Sequence, residues 1–248
     1  MKLSVADLTK SYHQNQVVNL GEAVFGAHGL EGLIGPNGAG KSTLMGLLTR
    51  RIAPTTGRIA CEIDGKTHPL MPLRAFEVAR LGLVKTNQRI QGFESLSIRD
   101  QLRLAATPPG AETLPGVFDK AQHDDQTEAE IDSYLARFSF QDPQGFARSS
   151  GEKKLLDILR CLIFKPRMLL MDEPTAGLPE DVTGQVMTLI SEKVAAGALT
   201  VILVEHDLDL IWSHCAYVHF LSEGEILFEG APEAVKANRV VAEKYMGV

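Results

Sequence analysis

The sequence predicts an α/β fold, a layered core of parallel strands with helices on its faces and a helical lobe inserted mid-chain. Three observations carry that expectation. Short apolar runs recur between stretches of helical periodicity, and one of those runs ends in a glycine-rich turn that opens a helix. A segment from about Arg89 to Arg148 has helical patches and no convincing strand.

Composition sets the outer limits. The 248 residues are 44% hydrophobic and 23% charged, the mix of an ordinary packed protein with one core, or one core and an added lobe. We therefore expect a single domain over 1–248, with its core at about 1–88 and 156–248 and its lobe at about 89–155. A formal net charge of -6 argues against a broad basic surface, so nucleic acid is not an expected partner. Cys61, Cys161 and Cys215 are far apart and form no CxxC pair, which suggests reduced, buried thiols rather than a disulfide or zinc framework. The start, MKLSVADLTKSY, lacks the apolar stretch of a secretory signal, and no run of about 18 apolar residues follows. The expected location is cytoplasmic.

In chain order, Leu30 to Ile34 reads as a strand ending at the glycine turn, and Thr43 to Arg51 as a helix with Leu44, Leu47 and Leu48 on one face. Further strands are expected at Arg58 to Ile63, Gly82 to Thr86, Met168 to Met171 and Thr200 to Val204, with helices over Ser150 to Phe164 and Val182 to Ala196. A final strand pair, Tyr217 to Leu221 and Glu225 to Phe228, should turn at Glu223-Gly224. Inside the lobe, TPPGAETLPG (Thr107 to Gly116) is a polar break, and AQHDDQTEAEID reads as a solvated acidic turn and helix start.

The chemistry concentrates in three places. Gly35-Pro36-Asn37-Gly38-Ala39-Gly40-Lys41-Ser42 fits the phosphate-loop pattern GxxxxGK followed by Ser or Thr, in the strand-to-helix context it needs. Glycines let backbone N–H groups curl toward phosphate oxygens, and the helix that opens near Lys41 and Thr43 adds its positive end. Lys41 should reach the β- and γ-phosphates, and the Ser42 hydroxyl should ligate Mg²⁺. Second, FKPRMLLMDEP is a buried strand ending in Asp172 and Glu173. Asp172 would hold Mg²⁺ through water, and Glu173 would polarise the attacking water as base or positioner. Third, VILVEHD ends another apolar strand at His206, placed to bridge γ-phosphate and water; a lone histidine there is otherwise structural.

Order and spacing of these motifs resemble the ABC transporter ATPases along nearly the whole chain. The series is a phosphate loop, a glutamine after a strand, a helical lobe, SSGEKK opening a helix, MDEP, then a strand with EHD. The resemblance implies a P-loop NTPase core with a mixed sheet, an N-terminal antiparallel β subdomain and an inserted helical lobe. It implies ATP and Mg²⁺ as cofactors and a head-to-tail dimer with a second ATPase subunit. It also implies transmembrane permease subunits as partners, reached by the lobe, and a place on the cytoplasmic face of the membrane. By the same resemblance, Tyr12 looks like the aromatic that stacks on adenine, although a half-buried strand tyrosine fits it as well. Gln88 looks like the Mg²⁺-contacting, lobe-coupling glutamine, against the alternative of a surface loop residue, and His206 looks like the switch histidine.

Two departures stand out. Where the family signature is LSGGQ, this chain has Arg148-Ser149-Ser150-Gly151-Glu152, and the added side chain of Ser150 falls where backbone should approach the opposite subunit's phosphate. Pro179 in AGLPE stands about where the family commonly has an aspartate that reaches across the dimer. The altered signature beside intact nucleotide motifs suggests a non-identical partner subunit, with a homodimer as the alternative, and Pro179 suggests altered communication across the dimer. The Lys85-Thr86-Asn87-Gln88 stretch, EPTAGL and the C-terminal AEKYMGV resemble the ATPases of branched-chain amino acid and urea importers, which use a solute-binding protein. An ATPase of lipopolysaccharide export is similar too, and a soluble regulatory cassette with weak hydrolysis is the remaining alternative. Phe93, Leu96 and Leu102 are either a docking surface of the lobe or its own core.

Overall fold

A computed structural model describes residues 1–86, 96–107, 125–138, 140, 142, 145, 147 and 149–246. Two compact units emerge. The first comprises Met1–Lys85, Arg167–Glu173 and Ile190–Val248, and the second Thr86–Pro166 and Pro174–Leu189.

The first unit holds two sheets. Strands β1 (Lys2–Tyr12), β2 (Asn15–Phe25), β4 (Thr56–Ile63) and β5 (Lys66–Pro69) form an antiparallel sheet in the order β2-β1-β4-β5. Along β1 the apolar side chains Leu3, Val5 and Leu8 turn inward, and the alternation breaks at Asp7, whose φ of 50° marks a bulge. The six-stranded sheet runs β10 (Glu225–Gly230), β9 (Tyr217–Ser222), β3 (Leu30–Ile34), β8 (Thr200–Val204), β7 (Met168–Asp172), β6 (Leu83–Lys85). Its pairs are parallel except for the antiparallel hairpin β9–β10, which makes the sheet mixed. That hairpin turns at Glu223 (φ 52°) and Gly224 (φ 83°), two consecutive left-handed residues that match the right-handed strand twist. Helix α1 (Lys41–Leu48) buries Leu44, Met45, Leu47 and Leu48 against β1, β3 and β7 residues such as Leu3, Leu33 and Leu170. Each such side chain contributes about 1.5–3 kcal/mol relative to exposure. The helix ends at Leu48, short of the Arg51 expected, because Arg50 turns left-handed at φ 57°. Short helices α2 (Ala75–Arg80), α7 (Leu208–His214), α8 (Pro232–Lys236) and α9 (Arg239–Met246) complete the unit.

The second unit contains α3 (Ile98–Ala106), α4 (Asp125–Arg137), α5 (Ser150–Ile163) and the first part of α6 (Glu180–Ala195). It extends beyond the 89–155 expected for the lobe, because α5 runs on to Ile163 and packs its buried face, Leu155, Leu156 and Leu159, with α3 and α4. Leu102 is fully buried with Ile98 and Ile131, so it belongs to this unit's core rather than to a docking surface, while Phe93 lies outside the described residues. The acidic run is not simply solvated. Glu128 accepts from Arg103 (2.7 and 2.9 Å) and Arg99 (3.2 Å), and Asp132 also pairs with Arg99. Most of the proline-containing break, 108–116, lies outside the described residues. Cys61, Cys161 and Cys215 are all buried and none forms a disulfide. Among the described residues no helix is long and apolar enough to cross a membrane.

Candidate nucleotide site

Parallel pairing decides where the chemistry collects. The carboxyl ends of β3, β6, β7 and β8 lie on one edge of the sheet, so the glycine turn, Lys85, Asp172-Glu173 and Glu205-His206 leave it side by side.

Between β3 and α1 the backbone passes through Gly35 (φ 155°), Gly38 (φ 81°) and Gly40 (φ 102°). A β-carbon on Gly35 would lie 1.9 Å from the Leu221 carbonyl oxygen, and one on Gly40 2.6 Å from that of Val17. The loop is thus threaded between two strands with space for backbone alone. Lys41, 8% exposed, donates from Nζ to the carbonyls of Gly35 (2.6 Å) and Pro36 (3.0 Å). Burial pushes its ammonium below the usual lysine value, opposed by the carboxylates of Glu173 and Asp172. No side chain caps α1 and no acidic residue sits in its first turn, so the helix supplies no acid of its own to offset its positive end beside Ser42 and Thr43.

Ser42 Oγ stands 3.5 Å from Asp172 Oδ1, while Asp172 Oδ2 accepts from Lys85 Nζ at 2.8 Å. Lys85 is the site residue that sequence reasoning missed. Its signal was a lysine closing an otherwise apolar strand, and its partner lies 87 positions away. Glu173 follows β7 directly. Its N–H donates to the Val204 carbonyl at 2.8 Å while its φ of 51° turns the chain out of the strand. A left-handed non-glycine residue costs about 1–2 kcal/mol, and here that turn accompanies a specific contact: Glu173 Oε1 is 2.9 Å from His206 Nε2.

Tyr12 ends β1 with 44% of its surface exposed and Lys10 Nζ 4.8 Å from its ring centroid. In the second unit, Ser149 and Glu152 form a capping box at the start of α5. Glu152 N donates to Ser149 Oγ (3.0 Å), and Ser149 N donates to Glu152 Oε2 (3.2 Å). Ser150 is exposed, and a β-carbon on Gly151 would meet only an ordinary 3.5 Å contact with the Gly177 carbonyl. Pro179 precedes α6, and its carbonyl accepts from Thr183 N at 2.9 Å. Gln88 and Arg148 lie outside the described residues.

The sequence profile of the ABC transporter family matches residues 25–176. The chain belongs to the ABC transporter family. This cassette is 31% identical over 223 residues to the high-affinity branched-chain amino acid transport ATP-binding protein BraF of Pseudomonas aeruginosa, covering 87% of this chain and 86% of that one. It is 30% identical over 225 residues to the corresponding LivG protein of Escherichia coli, at the same coverage. The solved ADP conformation of an ATP-binding cassette from an ABC transporter superposes over the full length of both chains, with a TM-score of 0.77 and 25% identity. The cassette is accordingly an ATPase of the mixed α/β P-loop type. Its curled loop with Lys41 suits polyphosphate. The adjacent hydroxyl and carboxylate oxygens of Ser42 and Asp172 are the hard donors that suit Mg²⁺, which completes its shell with water and phosphate.

Proposed function

We propose that this cassette drives import of a small polar solute, of the branched-chain amino acid or urea class, as a peripheral subunit on the cytoplasmic face of a membrane. Its partners in this reading are permease subunits, a second ATPase subunit and a solute-binding protein. The solute class rests on the relatives named for branched-chain amino acid transport.

The catalytic reading rests on one observation, the 2.9 Å contact between Glu173 and His206 beside Asp172 and Lys41. The Gly35–Gly40 backbone and Lys41 bind the phosphates, with Thr43 in the first turn of α1, and Tyr12 offers a face to adenine. Ser42 and Asp172, joined on the family resemblance by Gln88, would hold Mg²⁺, which would supply positive charge to offset the phosphates. Glu173 orients and deprotonates the attacking water, and His206 fixes the carboxylate's direction and contacts the γ-phosphate. Positioning and charge do most of the work, and hydrolysis reopens a closed pair of cassettes.

Ser149, Ser150, Gly151 and Glu152 face the partner's nucleotide in this reading, and the capping box favours an asymmetric pair. The Ser149 hydroxyl already serves its own helix, and Glu152 sets a carboxylate at the helix end where a phosphate would dock. A regulatory cassette with slow hydrolysis draws on the same observation. Glu173→Gln in the assembled transporter should retain ATP binding and lose about 10²–10⁴ in turnover. Unchanged turnover would remove Glu173 from its role, and hydrolysis without any response to permease would favour the regulatory reading.

A further inference from the structure

Nothing in the hydrolytic reading uses Lys85. It ends β6 with its side chain 7% exposed and its Nζ 2.8 Å from the Asp172 carboxylate, whose side chain is fully buried. Register explains the meeting, since Lys85 pairs with Leu170 and Asp172 follows two residues later on the same face of β7. The Lys85 backbone is held as well, its carbonyl accepting from Arg51 Nη2 at 3.2 Å. Lys41, another nearby ammonium, donates to the Gly35 and Pro36 carbonyls, whereas Lys85 is in direct contact with Asp172.

We propose that Lys85 is a built-in cation of the metal site, which fixes Asp172 before nucleotide arrives and weakens its attraction for a bare divalent ion, so that Mg²⁺ enters with the nucleotide. The proposal rests on the reading of Ser42 and Asp172 as metal ligands. A buried carboxylate facing a hydroxyl would on its own be an attractive place for a cation, and costly to leave uncompensated. An ammonium on Oδ2 supplies that compensation and repels a second positive charge arriving at Oδ1. Between +1 and +2 charges about 6 Å apart, even full water screening leaves a repulsion worth roughly tenfold in affinity. The triphosphate brings enough negative charge to reverse that balance. Lys85 is a positioning residue here, acting on the metal through Asp172.

Calorimetric titration of Mg²⁺ into the full chain, without nucleotide and saturated with ADP, reads this directly, alongside melting curves with and without Mg²⁺. In the wild type and in Lys85→Arg, bare Mg²⁺ should bind on the order of a hundredfold more weakly than in the ADP complex, the combined effect of the ammonium and the added phosphates. Lys85→Gln keeps a donor to Oδ2 and drops the charge. Its bare Mg²⁺ affinity should rise about tenfold, and its melting deficit should shrink when Mg²⁺ is added; Lys85→Met should behave alike. Bare Mg²⁺ binding in Lys85→Gln no tighter than in the wild type, or a melting deficit indifferent to Mg²⁺, overturns the proposal. Should both neutral variants fail to fold, the wild type still decides, because equal Mg²⁺ affinity with and without ADP overturns it too. Asp172→Asn tests the underlying reading by itself. Unchanged Mg²⁺ binding to its ADP complex overturns both, whereas a loss there with no gain in Lys85→Gln overturns the Lys85 proposal alone.

Discussion

Glu31→Gln probes the strand that delivers the phosphate loop. Glu31 lies inside β3 with no exposed surface, and its carboxylate accepts from Gly26 N (Oε2, 2.7 Å) and His28 N (Oε1, 2.9 Å). His219 Nε2 lies 3.1 Å from Oε2, and the other ring nitrogen faces Glu229 at 2.8 Å. Burial raises the Glu31 carboxyl, but the hydrogen bonds from His219, Gly26 and His28, with the attraction of His219, hold it below its ordinary value of 4.5. A glutamine has one oxygen for these donors, and its NH₂ group would face a backbone N–H. One charge-assisted hydrogen bond, about 1.5–3 kcal/mol, is lost, and one buried N–H is left without an acceptor at about 1–3 kcal/mol. The sum, about 2.5–6 kcal/mol, is a large share of the roughly 5–15 kcal/mol that holds a native protein. At about 2–4 °C per kcal/mol for a chain of this size, the melting temperature should fall by about 10 °C. Urea titration should show a lower midpoint at unchanged slope. The sign of the pH dependence follows from the lowered carboxyl. Stability from Glu31 is present above its unfolded value near 4.5 and is lost as pH falls through the folded value, so the wild type should carry an acid limb that the variant partly lacks. A variant melting within about 2 °C of the wild type at neutral pH, with a parallel acid profile, would refute this account of the Glu31 anchor.

Two further outcomes follow from the loop and the acid pair. Gly35→Ala places a β-carbon 1.9 Å from the Leu221 carbonyl, so the loop or β9 must shift by more than 1 Å, and nucleotide affinity measured by calorimetry should drop at least about a hundredfold. Wild-type affinity would show that the threaded loop is not what binds phosphate. His206→Ala removes the 2.9 Å partner of Glu173, and because the two act as a unit, adding it to Glu173→Gln should cost far less turnover than it costs alone. Additive losses would separate their roles.

How much of this was legible in the sequence depends on the range of the forces involved. Strand β7 read as an apolar run closed by Asp172 and β3 as a mostly apolar one despite Glu31, both buried along their whole length, and the Glu223-Gly224 turn announced its hairpin by residue type. Strand β1, alternating and interrupted at Asp7, gave a weaker periodic signal and entered only through the antiparallel subdomain that the family resemblance implies. β5, four residues long, and α2, six residues long, are too short for a periodic signal to stand out. The phosphate loop and the two carboxylates were legible because backbone geometry restricts residue types locally. Side-chain pairings were not: Arg103 and Glu128 are 25 positions apart, Lys85 and Asp172 are 87, and His219 and Glu31 are 188. Only the folded sheet and helix packing bring such partners together.

The charge arrangement on the sheet edge links these observations. Two ammonium groups, Lys41 and Lys85, stand among two carboxylates, Asp172 and Glu173, and each has a distinct anchor. Lys41 rests on loop carbonyls, Lys85 on Asp172, and Glu173 on His206. Such a set is close to neutral by itself, which lets the carboxyl edge of a parallel sheet stay folded and buried without ligand. A polyphosphate arriving alone would leave the carboxylates facing like charge, and a divalent ion arriving alone would meet the two ammonium groups. Together they bring offsetting charges. On the proposed reading the arrangement would favour the metal–nucleotide complex over either component, with Lys85 and Asp172 brought together by strand register.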